Sequence, residues 1–167
     1  MKIIITDTNV FFDIIGINAL PEFFSLPYEI CTTDFVLNEI LRSHQKEQIE
    51  IFIRAKKLTI FSLTDSEIDE VKTFQTKRNF KGLTDKTVLW KAKQLNSPLL
   101  TGDGKLRKEA HEQGIKVFGS IWVIESLINT GLVKNLVAVS FLEKLKVTNN
   151  SLPIDEIDKL IKKFSNE

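Results

Sequence analysis

Apolar and polar positions along this chain follow two alternating periods. Lys2-Ile3-Ile4-Ile5-Thr6 places isoleucines at successive positions, the pattern of a parallel strand covered on both faces. The run ends on Asp7, and helical spacing follows at once. Val10, Phe11, Ile14, Ile15 and Ile17 form one stripe over Asn9 to Ile17, and Pro21 interrupts it. After Pro27, Glu29 to Thr32 reads as a second strand, with Thr33 or Asp34 as the cap of a helix starting near Phe35. Val36, Leu37, Ile40 and Leu41 share a face of that helix, and Glu39 lies just off it in about the second turn.

The same alternation continues. Gln48 to Lys57 is helical in style, and Leu58 to Leu63 alternates as a third strand. Thr64-Asp65-Ser66-Glu67 has the form of a capping box, which predicts a helix from Asp65 to about Thr76. A basic loop, Lys77 to Gly82, precedes a helix capped by Thr84, with Val88, Leu89, Ala92 and Leu95 turned inward. Leu99 to Thr101 is a short buried strand, Gly102-Asp103-Gly104 a tight turn, and Lys105 to Gln113 a helix stopped by Gly114. Ile115 to Phe118 is a fifth strand. Helices over Ile121 to Asn129 and Leu136 to Leu145 follow, then an amphipathic one from Pro153 with Ile154, Ile157, Ile161 and Phe164 in register.

Strands alternating with helices through residue 118 predict a three-layer α/β/α fold on a central parallel sheet of about five strands, followed by C-terminal helices. We expect residues 1–132 to form the main domain and 133–167 a helical extension packed on it. At 167 residues, one compact domain is what the length supports. A hydrophobic fraction of 43% and a charged fraction of 27% place the chain among globular proteins. Cys31 is the only cysteine, so an intrachain disulfide and a cysteine cluster for zinc are excluded and a reducing cytoplasm fits. With no signal-peptide core and no apolar run of membrane length, nothing points to a membrane.

The net charge of +1 conceals a strong asymmetry. Residues 1–71 carry a net −6, whereas residues 72–116 hold 11 Lys/Arg against 4 Asp/Glu, a net +7. A solvated helix face accounts for such a segment, and so does a polyanionic partner.

Asp7 and Asp103 each follow a short apolar strand at its carboxyl end. If those strands are neighbours in a sheet whose order reverses beside the first, both acids face the crevice where such folds bind ligands. Asp85 at a helix start and Glu39 in another helix can lean into the same crevice. Bringing two carboxylates within ~4 Å costs on the order of 4 kcal/mol at an effective dielectric near 20, so a cation must offset them. Oxygen-only ligation favours Mg²⁺ or Mn²⁺ over zinc. The matching chemistry is attack of metal-activated water on a phosphodiester.

Asp7-Thr8-Asn9 after the first strand, Glu39, Leu83-Thr84-Asp85 and Thr101-Gly102-Asp103 together resemble the PIN-domain nucleases. The stretch Leu99 to Leu132, with Arg107, Gly114 to Gly119 and Gly131, is similar to the toxin-like VapC group of that family. The resemblance implies a metal-dependent endoribonuclease, the toxin of a type II toxin–antitoxin pair. It has Asp7, Glu39, Asp85 and Asp103 as catalytic Mg²⁺ or Mn²⁺ ligands, with Asn9 and Thr101 orienting them. RNA, an antitoxin protein and a second copy in a homodimer are the implied partners. Gly104-Lys105 departs from the many relatives that carry another acid after the fourth.

Blander readings stand beside these. Asp7, Asp85 and Asp103 all occupy helix starts, where capping alone favours Asp. Lys86, Lys105 and Arg107 flank two acids and are candidates for RNA phosphates, with plain surface charge as the alternative. Trp90 and Trp122 read as core or interface residues, and Cys31 as a small buried hydrophobe. His44 and His111 lie far from the acid motifs. A phosphatase of the haloacid dehalogenase type would want an acid where Asn9 stands, and a catalytically silent PIN-like binding module is the third reading.

Overall fold

The computed structural model describes residues 2–166. In chain order its elements are β1 (Lys2–Thr6), α1 (Thr8–Gly16), α2 (Leu20–Phe23), β2 (Tyr28–Thr33), α3 (Asp34–Glu39), α4 (Ser43–Arg54), β3 (Leu58–Phe61) and α5 (Asp65–Thr73). There follow α6 (Thr84–Gln94), β4 (Leu99–Leu100), α7 (Gly104–Glu112), β5 (Val117–Phe118), α8 (Ser120–Asn129), α9 (Asn135–Thr148) and α10 (Ile154–Asn166). The chain gathers into two compact units: one takes the chain up to Asn9 together with Pro27–Phe118, and the other takes Val10–Leu26 and the chain from Gly119 onward.

The first unit contains the sheet. Its strand order is β3-β2-β1-β4-β5, with every pair parallel. Ile4 pairs with Ile30 and Ile5 with both Cys31 and Leu99. All five of these residues are at most 1% exposed, as a strand covered on both faces requires. Helices α3, α4, α6 and α7 pack on the strands, so the central parallel sheet is flanked by helices, consistent with the expected three-layer α/β/α class. Cys31 lies in that core, and burial pushes its thiol up to about 12, which leaves it inert.

A satellite cluster of Leu63, Val71 and Trp90 is lined by Phe35, Phe61, Ile68, Phe74 and Leu83. Lys91 closes it: its stem is buried, its Nζ lies over the Phe61 and Trp90 rings and reaches Glu67 at 3.2 Å. Glu67 also completes the capping box with Thr64 that the sequence predicts.

Differences from the sequence expectation are local. Pro21, a break by pattern, sits in the first turn of α2, where a missing N–H costs nothing. Helix α3 is only six residues long and stops at Glu39, because Ile40 leaves helical geometry at φ −81, ψ 88. Leu41, expected on its apolar face, is therefore 87% exposed. Thr84 is the first residue of α6 instead of its cap, which is Leu83. Gly114 ends α7 in the left-handed region at φ 74, as a glycine stop should.

In the second unit, α9 packs against both α8 and α10. Ile157 and Phe164 of α10 are buried, and Asp158 pairs with Lys146 at 2.6 Å. The amphipathic tail thus covers its own chain. Buried Asp13 of α1 accepts from Ser120 Oγ at 2.5 Å and Asn149 Nδ2 at 2.9 Å, joining three segments of this unit. Among the described residues no helix is long and apolar enough to cross a membrane.

Two leucines with the same sequence expectation separate here. Leu89 is fully buried, whereas Leu95, at the end of α6, is 37% exposed. Leu89→Ala should cost about 2–5 kcal/mol and Leu95→Ala under about 1 kcal/mol by urea denaturation; equal costs would refute the placement of α6.

Candidate active site

From β1 the chain winds outward through β2 and β3, then returns to lay β4 against the other edge of β1. The crevice beyond the carboxyl ends of β1 and β4 is therefore a topological switch point. Asp7 stands there. Its N–H donates to the Leu100 carbonyl at 2.9 Å, which extends the ladder one residue past β1 and fixes its backbone. Its side chain is 2% exposed. Thr8 N–H donates to Oδ1 at 2.6 Å, and Thr101 Oγ1 and Asn9 Nδ2 donate to Oδ2 at 2.8 and 3.4 Å.

Thr101 links two of the acids. Its own N–H continues the β4–β5 ladder to the Phe118 carbonyl at 3.0 Å. Its hydroxyl, while donating to Asp7, accepts the Asp103 N–H at 3.0 Å. Asp103 in turn caps α7, Oδ1 accepting from Leu106 N–H at 2.6 Å, so the capping reading holds for it as well. Glu39, exposed at the end of α3, accepts from Thr8 Oγ1 at 2.7 Å. Asp85 occupies the first turn of α6. That turn is tied to the end of β2 by the buried Thr33–Thr87 hydroxyl pair at 2.9 Å, Thr87 also donating to the Thr84 carbonyl.

The four acids form one electrostatic group. Burial pushes the Asp7 carboxyl up to about 6; bonds from Thr101 and Thr8 oppose the rise, and the charges of Asp85 and Glu39 add to it. Asp85 is also raised, first by burial and then by Asp103 and Glu39, with Lys105 partly offsetting them. Among the described residues, no group of three or more His, Cys, Asp or Glu is arranged to hold a metal ion. The donor set is made of carboxylate oxygens whose mutual repulsion a cation would relieve, and in its chemistry it fits Mg²⁺ or Mn²⁺. Thr8 and Thr87 have no part in the sequence-based site. Thr8 stands inside the Asp7-Thr8-Asn9 motif, which was signal enough; Thr87 has none beyond its helical spacing.

A family model, DUF3368, described as a PIN domain, matches residues 3–166. The chain belongs to the PIN-domain family. PIN domains are generally nucleases, so the fold is of nuclease type. Among solved structures, the chain is similar to a PilT N-terminus domain protein from the hyperthermophilic archaeon Sulfolobus solfataricus P2, with 12% identity, TM-score 0.50, and 75% of this chain and 93% of that one covered. A domain of a functionally unknown protein from Methanocaldococcus jannaschii DSM 2661 matches with 23% identity, TM-score 0.46 and coverages of 71% and 91%. No curated protein matches the chain.

Much of the basic segment of this PIN domain is committed to internal contacts. Arg78 pairs with Glu109 and Glu112, and Lys77 with Glu112. Fully buried Glu109 also accepts the N–H groups of Lys77 and Arg78 at 3.1 Å each and Gln113 Nε2 at 2.9 Å, clamping the basic loop onto α7. Of the three candidate phosphate ligands, Lys86 donates to the Lys72 carbonyl at 3.0 Å. Arg107 donates to the Thr101 carbonyl at 2.8 Å and so braces the site. Lys105 donates to the Asn79 carbonyl and lies over the Phe80 ring at 5.1 Å, and its charge partly offsets the rise at Asp85.

The raised Asp7 carboxyl gives stability a definite sign of pH dependence. With the folded value at about 6 against 3.8, Asp7 favours the folded chain fully below pH ~4 and loses that contribution as pH rises through about 6. In EDTA the loss by pH 8 should be about 3 kcal/mol. Asp7→Asn should flatten that part of a urea-stability profile; an unchanged slope would show that the carboxylate is not strained in this way.

Proposed function

We propose that the chain is a Mg²⁺- or Mn²⁺-dependent endoribonuclease of the VapC-like toxin group. The observation that carries this reading is the electrostatic grouping of Asp7, Glu39, Asp85 and Asp103 at the switch point of a PIN-domain sheet. In it, Asp7, Glu39, Asp85 and Asp103 are the carboxylates that would hold the cation and orient a water toward an RNA phosphodiester. A bound divalent cation supplies activation of that water and neutralisation of charge on the leaving oxygen. Asn9 and Thr101 hold Asp7 in one orientation through their bonds to Oδ2. Asn9 stands where a phosphatase of the haloacid dehalogenase type needs a second acid, and its bond to Asp7 favours the nuclease. An antitoxin protein, a homodimer, a cytoplasmic setting, and a nuclease domain over 1–132 with a helical extension over 133–167 complete the proposal on the strength of the VapC resemblance.

Purified protein with Mn²⁺ should cut RNA, and Asp7→Asn or Asp103→Asn should lower the rate by on the order of 100-fold or more. A wild type that cuts no RNA, or variants that cut equally well, would overturn the reading.

Lys105, the candidate cation acting on the acids, should contact substrate phosphate, whereas Lys86 should not. Lys105→Ala should weaken binding of single-stranded RNA and reduce the slope of log K against log salt by about 0.7. Lys86→Ala should leave that slope unchanged; the reverse order would reassign the phosphate contact.

A further inference from the structure

Glu39 is the least constrained of the four acids by its own element. It is exposed on the last residue of a six-residue helix, at the point where Ile40 leaves helical geometry. A long side chain in that setting has no orientation imposed by its helix. Thr8, by contrast, is 5% exposed and is the first residue of α1. At helix C-terminal ends here, Thr73, Thr130 and Thr148 turn their hydroxyls back to carbonyls four residues earlier, which the preceding turn supplies. At the first helical position no preceding turn offers such a carbonyl. The single hydroxyl proton of Thr8 goes instead to Glu39 Oε2 at 2.7 Å, a charge-assisted bond across 31 positions of sequence. The backbone N–H of the same residue goes to Asp7 Oδ1 at 2.6 Å.

We infer that Thr8 is a positioning residue, whose hydroxyl sets the orientation of the Glu39 carboxylate while its N–H sets that of Asp7. The consequence for metal binding rests on the nuclease reading above; the contact itself does not. Thr8→Val keeps the shape, the β-branch and the N–H, and so leaves Asp7 held while Glu39 is released. Thr8→Ser keeps the hydroxyl.

The test has two arms on the full-length chain. In EDTA, urea denaturation of Thr8→Val, Glu39→Ala and the double variant should be non-additive, because each single change removes the same bond. In calorimetric titration with Mn²⁺, Thr8→Val should weaken binding by about 10–100-fold. Thr8→Ser should restore most of that affinity, and Thr8→Val should add nothing in the Glu39→Ala background. Additive urea effects overturn the positioning role whatever Mn²⁺ does. Equal Mn²⁺ affinity of Thr8→Val and wild type overturns its relevance to the site. A wild type that binds no Mn²⁺ but shows urea coupling overturns the nuclease reading and leaves the Thr8–Glu39 contact standing.

Discussion

A buried carboxylate, held in place by backbone, is the constraint around which this protein is arranged. Asp7 cannot move away from its neighbours, because the parallel ladder runs through its own N–H to Leu100. Its charge is removed from water and faces Asp85 and Glu39. Two threonines, Thr8 and Thr101, supply the short bonds that make this tolerable, and each also reaches a second acid. Local polar bonds therefore organise the site while electrostatic repulsion persists, the condition under which a cation gains most by binding.

Capping and membership of the acid group do not compete in such a site. Asp103 satisfies an orphan amide of α7 with one oxygen while its backbone N–H rests on Thr101. A side chain whose position is fixed by a helix start is a better-placed ligand than a free one, because its rotamer is already chosen. Glu39 lacks this support from its own helix and receives it from Thr8.

The positive segment illustrates how a charge count misleads. Eleven Lys/Arg in residues 72–116 suggest an open cationic surface. Burying Glu109 under the basic loop draws in Lys77 and Arg78, and Lys91 is spent on Glu67 and two aromatic rings. Arg107 turns inward to a carbonyl. Lys105 is a cation whose charge acts on Asp85, so the polyanion signal shrinks once the internal contacts of its neighbours are counted.

The strands were legible because a parallel sheet buries both faces and leaves continuous apolar runs, as Ile3 to Ile5 and Leu99-Leu100 show. The acids at their ends were legible because switch-point chemistry follows strand ends. Glu39 was legible only weakly from the residues, as an acid that could lean into the crevice, and family resemblance singled it out, since helical spacing says nothing about what an off-stripe residue meets. Local chemistry also determined the capping box at Thr64 and the glycine stop at Gly114, which involve near neighbours alone. Tertiary structure decided the rest. That Thr8 serves Glu39, that Thr87 ties α6 to β2, and that Glu109 is buried under a basic loop all depend on segments between 31 and 54 residues apart. No periodicity encodes such partners, because a hydroxyl or a carboxylate has the same local pattern whether it faces water or another element.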